Sequence, residues 1–270
     1  MLRLDLIADI AAAAEAQDGA APLDEATWRA LRHRPETVRS WTTDDGVALL
    51  IGDELTLVVR PDARGRGVGD ALLADALPPG PVSAWSHGDH PAAAALARRH
   101  GFERVRSLWV MRRPTSEPLP EPIVPAGLTI RGYTPGDADE LIRVNAAAFA
   151  HHPEQGSMDA TELAERMAEP WFDPEGLLLA TEGDRLLGFH WTKQHSPELG
   201  EVYVVGIDPA AQGRGLGKLL TLAGLHHLAG LGVAEVLLYV ESDNAPAVAV
   251  YSGLGFTHAD ADTHVMYRRP

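Results

Sequence analysis

The chain has 270 residues, 45% apolar and 23% charged, a balance that suits a globular protein with room for two modest domains. Its 38 Asp and Glu against 23 Lys and Arg give a formal charge of −15, which argues against nucleic acid or an anionic membrane as partner, because clustered positive charge supplies most of that affinity. Cysteine is absent, which excludes disulfides, thiolate metal sites and a cysteine nucleophile, and Asp5 and Asp9 interrupt the opening apolar stretch where a signal peptide would run on.

Hydrophobic periodicity sets out the elements in chain order. Two helices open the chain. Strands follow at 38–43, 47–51 and 54–59, then a helix at 65–77, a strand at 82–86, a helix at 92–100 and a strand at 104–112. Residues 113–127 hold five prolines, a density that favours an extended, semi-rigid connection. Beyond it come a strand at 128–133, helices at 137–149 and 161–168, and strands at 177–182, 185–194 and 201–207, the first two joined by a Gly183-Asp184 turn. A helix at 214–231, a strand at 235–240, a helix at 245–253 and a final strand within 263–268 complete the second half. The first half lacks the strand that opens the second and reads as a trimmed copy.

That the halves are copies follows from an internal repeat. LVVRPDARGRGVGDALL (57–73) matches VGIDPAAQGRGLGKLLT (205–221), with Gly65, Arg66, Gly67 and Gly69 each 148 residues ahead of Gly213, Arg214, Gly215 and Gly217. Downstream, HGDHPAAAALARRHGF (87–102) matches ESDNAPAVAVYSGLGF (241–256) at an offset of 154. The expected organisation is a domain over 1–112, a Pro-rich linker over 113–126 and a second domain over 127–270.

In each copy a strand ends, a proline breaks it, and alternate glycines open a helix. Glycine admits close backbone approach, and first-turn N–H groups have no partner within the helix. With the helix dipole this makes an anion site suited to a pyrophosphate, to which Arg214 or Lys218 would add charge. The spacing fits neither a dinucleotide fingerprint nor a Walker loop: the position that should be glycine is Lys218 or Leu220, and Gly217-Lys218 is followed by Leu219. It fits [QR]-x-x-G-x-G, at Gln212, Gly215 and Gly217 and again at Arg64, Gly67 and Gly69.

On these motifs the sequence resembles the GCN5-related N-acetyltransferases. The stretches NAAAFAHHPEQG, WFDPEGLLLA, LLGFHWTKQH, GEVYVVGIDPAAQGRGLG and LLYVESDNAPAV resemble a tandem, actinobacterial branch of that family, the mycothiol synthases. The resemblance implies an α/β fold of two tandem domains, each a mixed, mostly antiparallel sheet flanked by helices. It implies acetyl-CoA as co-substrate, and as acceptor a small aminosugar-inositol thiol acetylated on its cysteinyl amine. It places coenzyme A against Val205, Gly206, Ile207, Gln212, Gly213, Arg214, Gly215, Leu216, Gly217, Lys218, Asn244, Ala247 and Val248. In the first half the matching positions are Leu57, Val58, Val59, Gly65, Arg66, Gly67, Val68, Gly69 and Asp70. Gly206 is expected to mark a bulge or a close approach in its strand.

Acetyl transfer to an amine needs a base and an acid. The resemblance gives the base to Glu201, at the start of the strand before the turn. Asn244, Ala247 or Val248, and Tyr251 share one helical face, and the resemblance makes Asn244 a coenzyme contact and Tyr251 the acid that protonates the leaving thiolate. The offsets put Ala97 at the acid's place in the first half and His90 at that of Asn244, so the first domain is expected to hold coenzyme A without turnover. For the acceptor the matching residues are Glu25, Glu175, Lys193, Glu201 and Tyr239, with Asp173 a competitor to Glu175. Glu25 would draw the first half into the acceptor pocket, unless it is a solvated first-turn residue.

Two other functions stay open: acetylation of another small cationic amine or a protein N-terminus, and coenzyme A sensing without chemistry. Metal binding is not expected, since the adjacent pairs His151-His152 and His226-His227 cannot each share a helical face. Alternation puts His195 on the face of Lys193 and His190 on the opposite one. The expected state is a cytoplasmic monomer.

Overall fold

A computed structural model describes residues 2–151 and 155–270. In chain order it contains α1 (Leu4–Asp18), α2 (Glu25–His33), β1 (Val38–Thr42), β2 (Gly46–Ile51), β3 (Glu54–Val59), α3 (Val68–Ala76), β4 (Val82–Ser86), α4 (Pro91–Arg99) and β5 (Glu103–Pro114). Then come β6 (Thr129–Arg131), α5 (Ala138–Ala148), α6 (Ala160–Met167), β7 (Leu177–Glu182), β8 (Arg185–Gln194) and β9 (Leu199–Ile207). The chain closes with α7 (Leu216–Gly230), β10 (Glu235–Glu241), α8 (Ala245–Ser252) and β11 (Thr257–Arg269).

These elements form two compact units. Unit 1 is Met1–Val110 with Glu241–Asp243 and Ala259–Pro270; unit 2 is Met111–Val240 with Asn244–His258. The final strand, expected at the end of the second half, therefore lies in unit 1 from Ala259 onward. Packing is the reason: Val265 and Tyr267 join the core made by Ala48, Leu50, Leu55, Leu73 and Val82.

Unit 1 has strand order β1-β2-β3-β4-β11-β5, and β11 runs antiparallel to β4, Val265 opposite Ser86. It opens with the helices α1 and α2. Alternation along β2 splits its side chains between two layers. Val47 and Leu49 pack with Ile7 and Ile10 of α1, while Ala48 and Leu50 pack with Leu72 and Leu73 of α3.

Unit 2 has strand order β10-β9-β8-β7-β6, antiparallel except for the parallel pair β9–β10. Leu177, Leu179, Phe189 and Trp191 pack on Leu141 and Val144 of α5 and Leu163 of α6. Ala180 and Leu187 meet Leu216 and Leu220 of α7 on the other face. The Pro-rich stretch is fastened to this unit. The buried Arg113 guanidinium donates to the carbonyls of Leu254 (2.7 Å) and Glu117 (2.7 Å), and His226 Nε2 lies 3.0 Å from the Pro120 carbonyl.

Candidate active site

Both strand–turn–helix units take one shape. After the proline a short 3-10 turn leads to Gly213 and Gly215, with φ of +77° and +75°, and Gly215 caps α7. In unit 1, Gly65 and Gly67 have φ of +75° and +84°, and Gly67 caps α3. Left-handed backbone of this kind favours glycine. Nothing stands where a Cβ would lie on these four glycines, and Gln212 through Gly215 are exposed at the start of α7, whose first amides have no partner within the helix. Arg214 is held by Glu182 at 2.9 Å, and Lys218 is exposed.

The strand that enters each turn parts from its parallel neighbour. β9 pairs with β10 only over Leu199–Val202, against Glu235–Leu238, and β3 pairs with β4 only at Glu54, against Ser83. The backbone of Val205, Gly206 and Ile207, and of Leu57, Val58 and Val59, is thus unladdered on that side. In unit 1 this opening leads into a cavity of about 400 Å³, lined by Val59, Gly67, Gly69, Trp85, Ala97 and Tyr267. Val68 and Asp70 also line it, whereas Arg66 is exposed in the turn. Arg64, at the cavity's edge, is forked onto Asp18 with both bonds at 2.7 Å, and His90 caps α4 through Ala92 N–H.

The expected bulge is displaced. Thr192 pairs with Val202 and Trp191 with Val204, so Tyr203 is the extra residue, and Gly206 lies in regular register opposite Phe189. Gly206 is instead a close approach, since a Cβ there would stand 2.5 Å from the Phe189 ring. The bulge shifts the alternation by one residue. Glu201, Tyr203 and Val204 consequently all serve the α5–α6 face.

On that face Glu201 stands directly opposite Lys193. Lys193 Nζ lies 4.8 Å from the centre of the Trp171 ring and 5.4 Å from that of Tyr203, cation–π distances that hold the ammonium over an aromatic floor. Glu201 Oε2 is 2.6 Å from His195 Nε2. Leu237 of β10 pairs with Glu201, so Tyr239 two residues on shares the face, 42% exposed.

Tyr251, Ala247 and Val248 are half-buried on one side of α8, and the Asn244 side chain caps that helix by accepting from Ala247 N–H. Burial raises the Tyr251 phenol above its ordinary value of 10.0, and its ring meets Phe256 edge-on at 6.0 Å. Glu175 lies exposed in the turn before β7, its carboxylate turned to Gly132. Asp173 engages His227 of α7 at 3.2 Å. Glu25, first residue of α2 in unit 1, pairs with Arg29 at 3.2 Å.

His226 and His227 point to different partners, Pro120 and Asp173, while His152 lies outside the described residues. Trp171, Tyr203 and His195 complete the Lys193–Glu201 cluster; of these only His195, on the face of Lys193, is expected there from alternation. Tyr203 has the right alternation to be found as well; Trp171 is brought in by a loop.

A sequence profile described as the Acetyltransferase (GNAT) family matches residues 145–256. A mycothiol acetyltransferase of Nocardioides sp. (strain ATCC BAA-499 / JS614) is 68% identical, with 98% of this chain and 97% of that one covered. One from Catenulispora acidiphila is 50% identical, with 97% and 94% covered. Among solved structures, a tandem GNAT protein from the clavulanic acid biosynthesis pathway superposes with a TM-score of 0.70 at 21% identity, over 98% of this chain and 94% of that one. A GCN5-related N-acetyltransferase from Sphaerobacter thermophilus gives 0.67 at 23% identity, over 98% and 92%. These two likenesses carry the tandem fold. Identity of 68% over nearly the whole of both chains carries more: the protein belongs to the mycothiol acetyltransferase family.

Proposed function

We propose that the protein moves the acetyl group of acetyl-CoA onto the cysteinyl amine of cysteinyl-glucosaminyl-inositol, the last step of mycothiol biosynthesis. The observation that carries the reading is the Lys193–Glu201 pair on one sheet face, one residue before β9 leaves β10. The chain's own groups fit coenzyme A at that place: unladdered backbone at Val205–Ile207 for the pantetheine arm, and first-turn amides of α7 for the pyrophosphate. When bound, the thioester supplies an activated acetyl group.

Glu201 takes a proton from the acceptor's ammonium, leaving the nitrogen lone pair free to attack. Tyr251, kept protonated by burial, gives a proton to the departing sulfur. Lys193 and Tyr239 bind hydroxyls of the polyol, as does Glu175 from the turn before β7. The acceptor also carries a thiol, so selectivity comes from holding nitrogen rather than sulfur against the thioester. With no cysteine in the chain, acetyl passes directly from donor to acceptor.

The same reading gives unit 1 a coenzyme A groove without chemistry. Its turn and parted strands repeat those of unit 2, but Ala97 lines the cavity at the position that matches Tyr251. The test of the main reading is purified protein with acetyl-CoA and cysteinyl-glucosaminyl-inositol, following thiol release and product mass. An aminoglycoside and an N-terminal peptide serve as rival acceptors. Faster turnover of either rival would displace the assigned acceptor.

A further inference from the structure

We propose that His195 is the outlet through which the proton collected by Glu201 reaches solvent. The inference rests on the acetyl-transfer reading above. Between ammonium and amide the acceptor nitrogen loses two protons. One ends on the coenzyme A sulfur, with Tyr251 as donor. The other is released, so each turnover must export one proton from Glu201 before it can act again.

Glu201 is poorly placed to do this alone. Its side chain is 6% exposed, flanked by Lys193 across the ladder and by Tyr203 next but one along the strand. His195 is placed to help. Its Nε2 is 2.6 Å from Glu201 Oε2, and its side chain is 32% exposed. The link is built into one hairpin: the His195 N–H donates to the Leu199 carbonyl at 2.8 Å, closing the turn between β8 and β9. Near His195 in that turn, Ser196 donates to Glu198 at 2.9 Å. Charged neighbours of the pair include Lys193, opposite Glu201 on β8, and Glu198 in the same turn.

The transfers balance. The first ammonium N–H breaks and its proton joins Glu201; the carboxyl O–H then donates to His195, and the imidazolium passes a proton to water. Tyr251 gives its proton to the departing sulfur, and the second N–H proton, lost as the amide forms, returns the phenol to its starting state. His195 acts through Glu201 and is a positioning residue in that it also fixes the carboxylate. Positioning needs only a hydrogen-bond donor, whereas export needs a side chain that can accept a proton at one atom and give it up at another, which the two ring nitrogens of imidazole allow.

Two variants separate these roles. His195→Gln keeps a donor beside Glu201, and His195→Ala leaves a space that added imidazole can enter. The expected result is a fall in kcat on the order of 10²-fold in both, in line with loss of proton transfer, with the KM for acetyl-CoA unchanged. Imidazole should restore His195→Ala in proportion to its neutral fraction. Wild-type kcat in His195→Gln overturns the proposal, and so does a slow His195→Ala that imidazole fails to rescue. Calorimetric binding of acetyl-CoA checks that both variants fold. Absence of acetylation by the unaltered protein would instead sink the functional reading itself, so the two failures are distinct.

Discussion

Gly67 and Gly215 cap α3 and α7 in the same left-handed conformation, with φ of +84° and +75°, 148 residues apart in the chain. Each stands where a strand has left its neighbour, yet only unit 2 carries Tyr251. Gly215→Val and Gly217→Val should therefore abolish turnover, whereas Gly67→Val and Gly69→Val should leave much of it. Steady-state rates of the two pairs decide the matter, and equal losses would refute the division of labour.

Tyr251→Phe should lower kcat by roughly 10²–10⁴-fold with little change in acetyl-CoA affinity, as loss of a general acid does. Because burial raises the phenol above 10.0, its acidic form persists across the neutral range. No fall in kcat from ionisation of Tyr251 is expected below about pH 10. A pH–rate profile that breaks downward near 8 and flattens in Tyr251→Phe would contradict this.

Glu201→Gln removes the proton acceptor and leaves the hydrogen-bonding shape. An α-amino group has a pKa of about 7.7–8, so free amine is scarce at pH 6 and plentiful at pH 9. The ratio of variant to parent kcat should rise across that range. A constant ratio would remove Glu201 from the base's role.

His190 offers a stability test away from the site. It is buried between β8 and α7, its Nδ1 donating to the Leu220 carbonyl at 2.8 Å, with Gly224, Thr192 and His227 close by. Desolvation pushes its pKa down to about 4. The unfolded chain, with an ordinary value near 6.5, therefore binds more protons between pH 6.5 and 4. Stability is full above the unfolded value and is lost as pH falls towards the folded one. The linkage amounts to about 2 kcal/mol between pH 7 and pH 5. Urea unfolding at the two pH values should show this difference, and His190→Leu should shrink it by about that amount.

Much of this was legible in the chain. The bounds of β3, β4, β7 and β8 coincide with their periodicity, because each is a short run with turn residues at both ends. The glycine turns were legible because their spacing is a backbone requirement, independent of what surrounds them. The bulge at Tyr203 was not. Gly206 proves to be the close approach of the two alternatives, and the sequence could not choose between them, since a glycine that makes room for the Phe189 ring looks the same as one that bends a strand. Nor could periodicity place β11 in unit 1, because alternation fixes which face a side chain takes and says nothing about which strand lies beside it.

β11 has a consequence for how the protein is made. Unit 1 holds this strand between β4 and β5, yet residues 259–269 are synthesised after every element of unit 2. Until those residues are made, β4 and β5 lack the strand that pairs with both of them in the finished sheet, and strand edges without a partner are prone to the wrong one. Domains usually fold in the order they leave the ribosome. Here the earlier unit must wait for the later one, and a premature stop anywhere before residue 259 would spoil the half of the protein that had already been made.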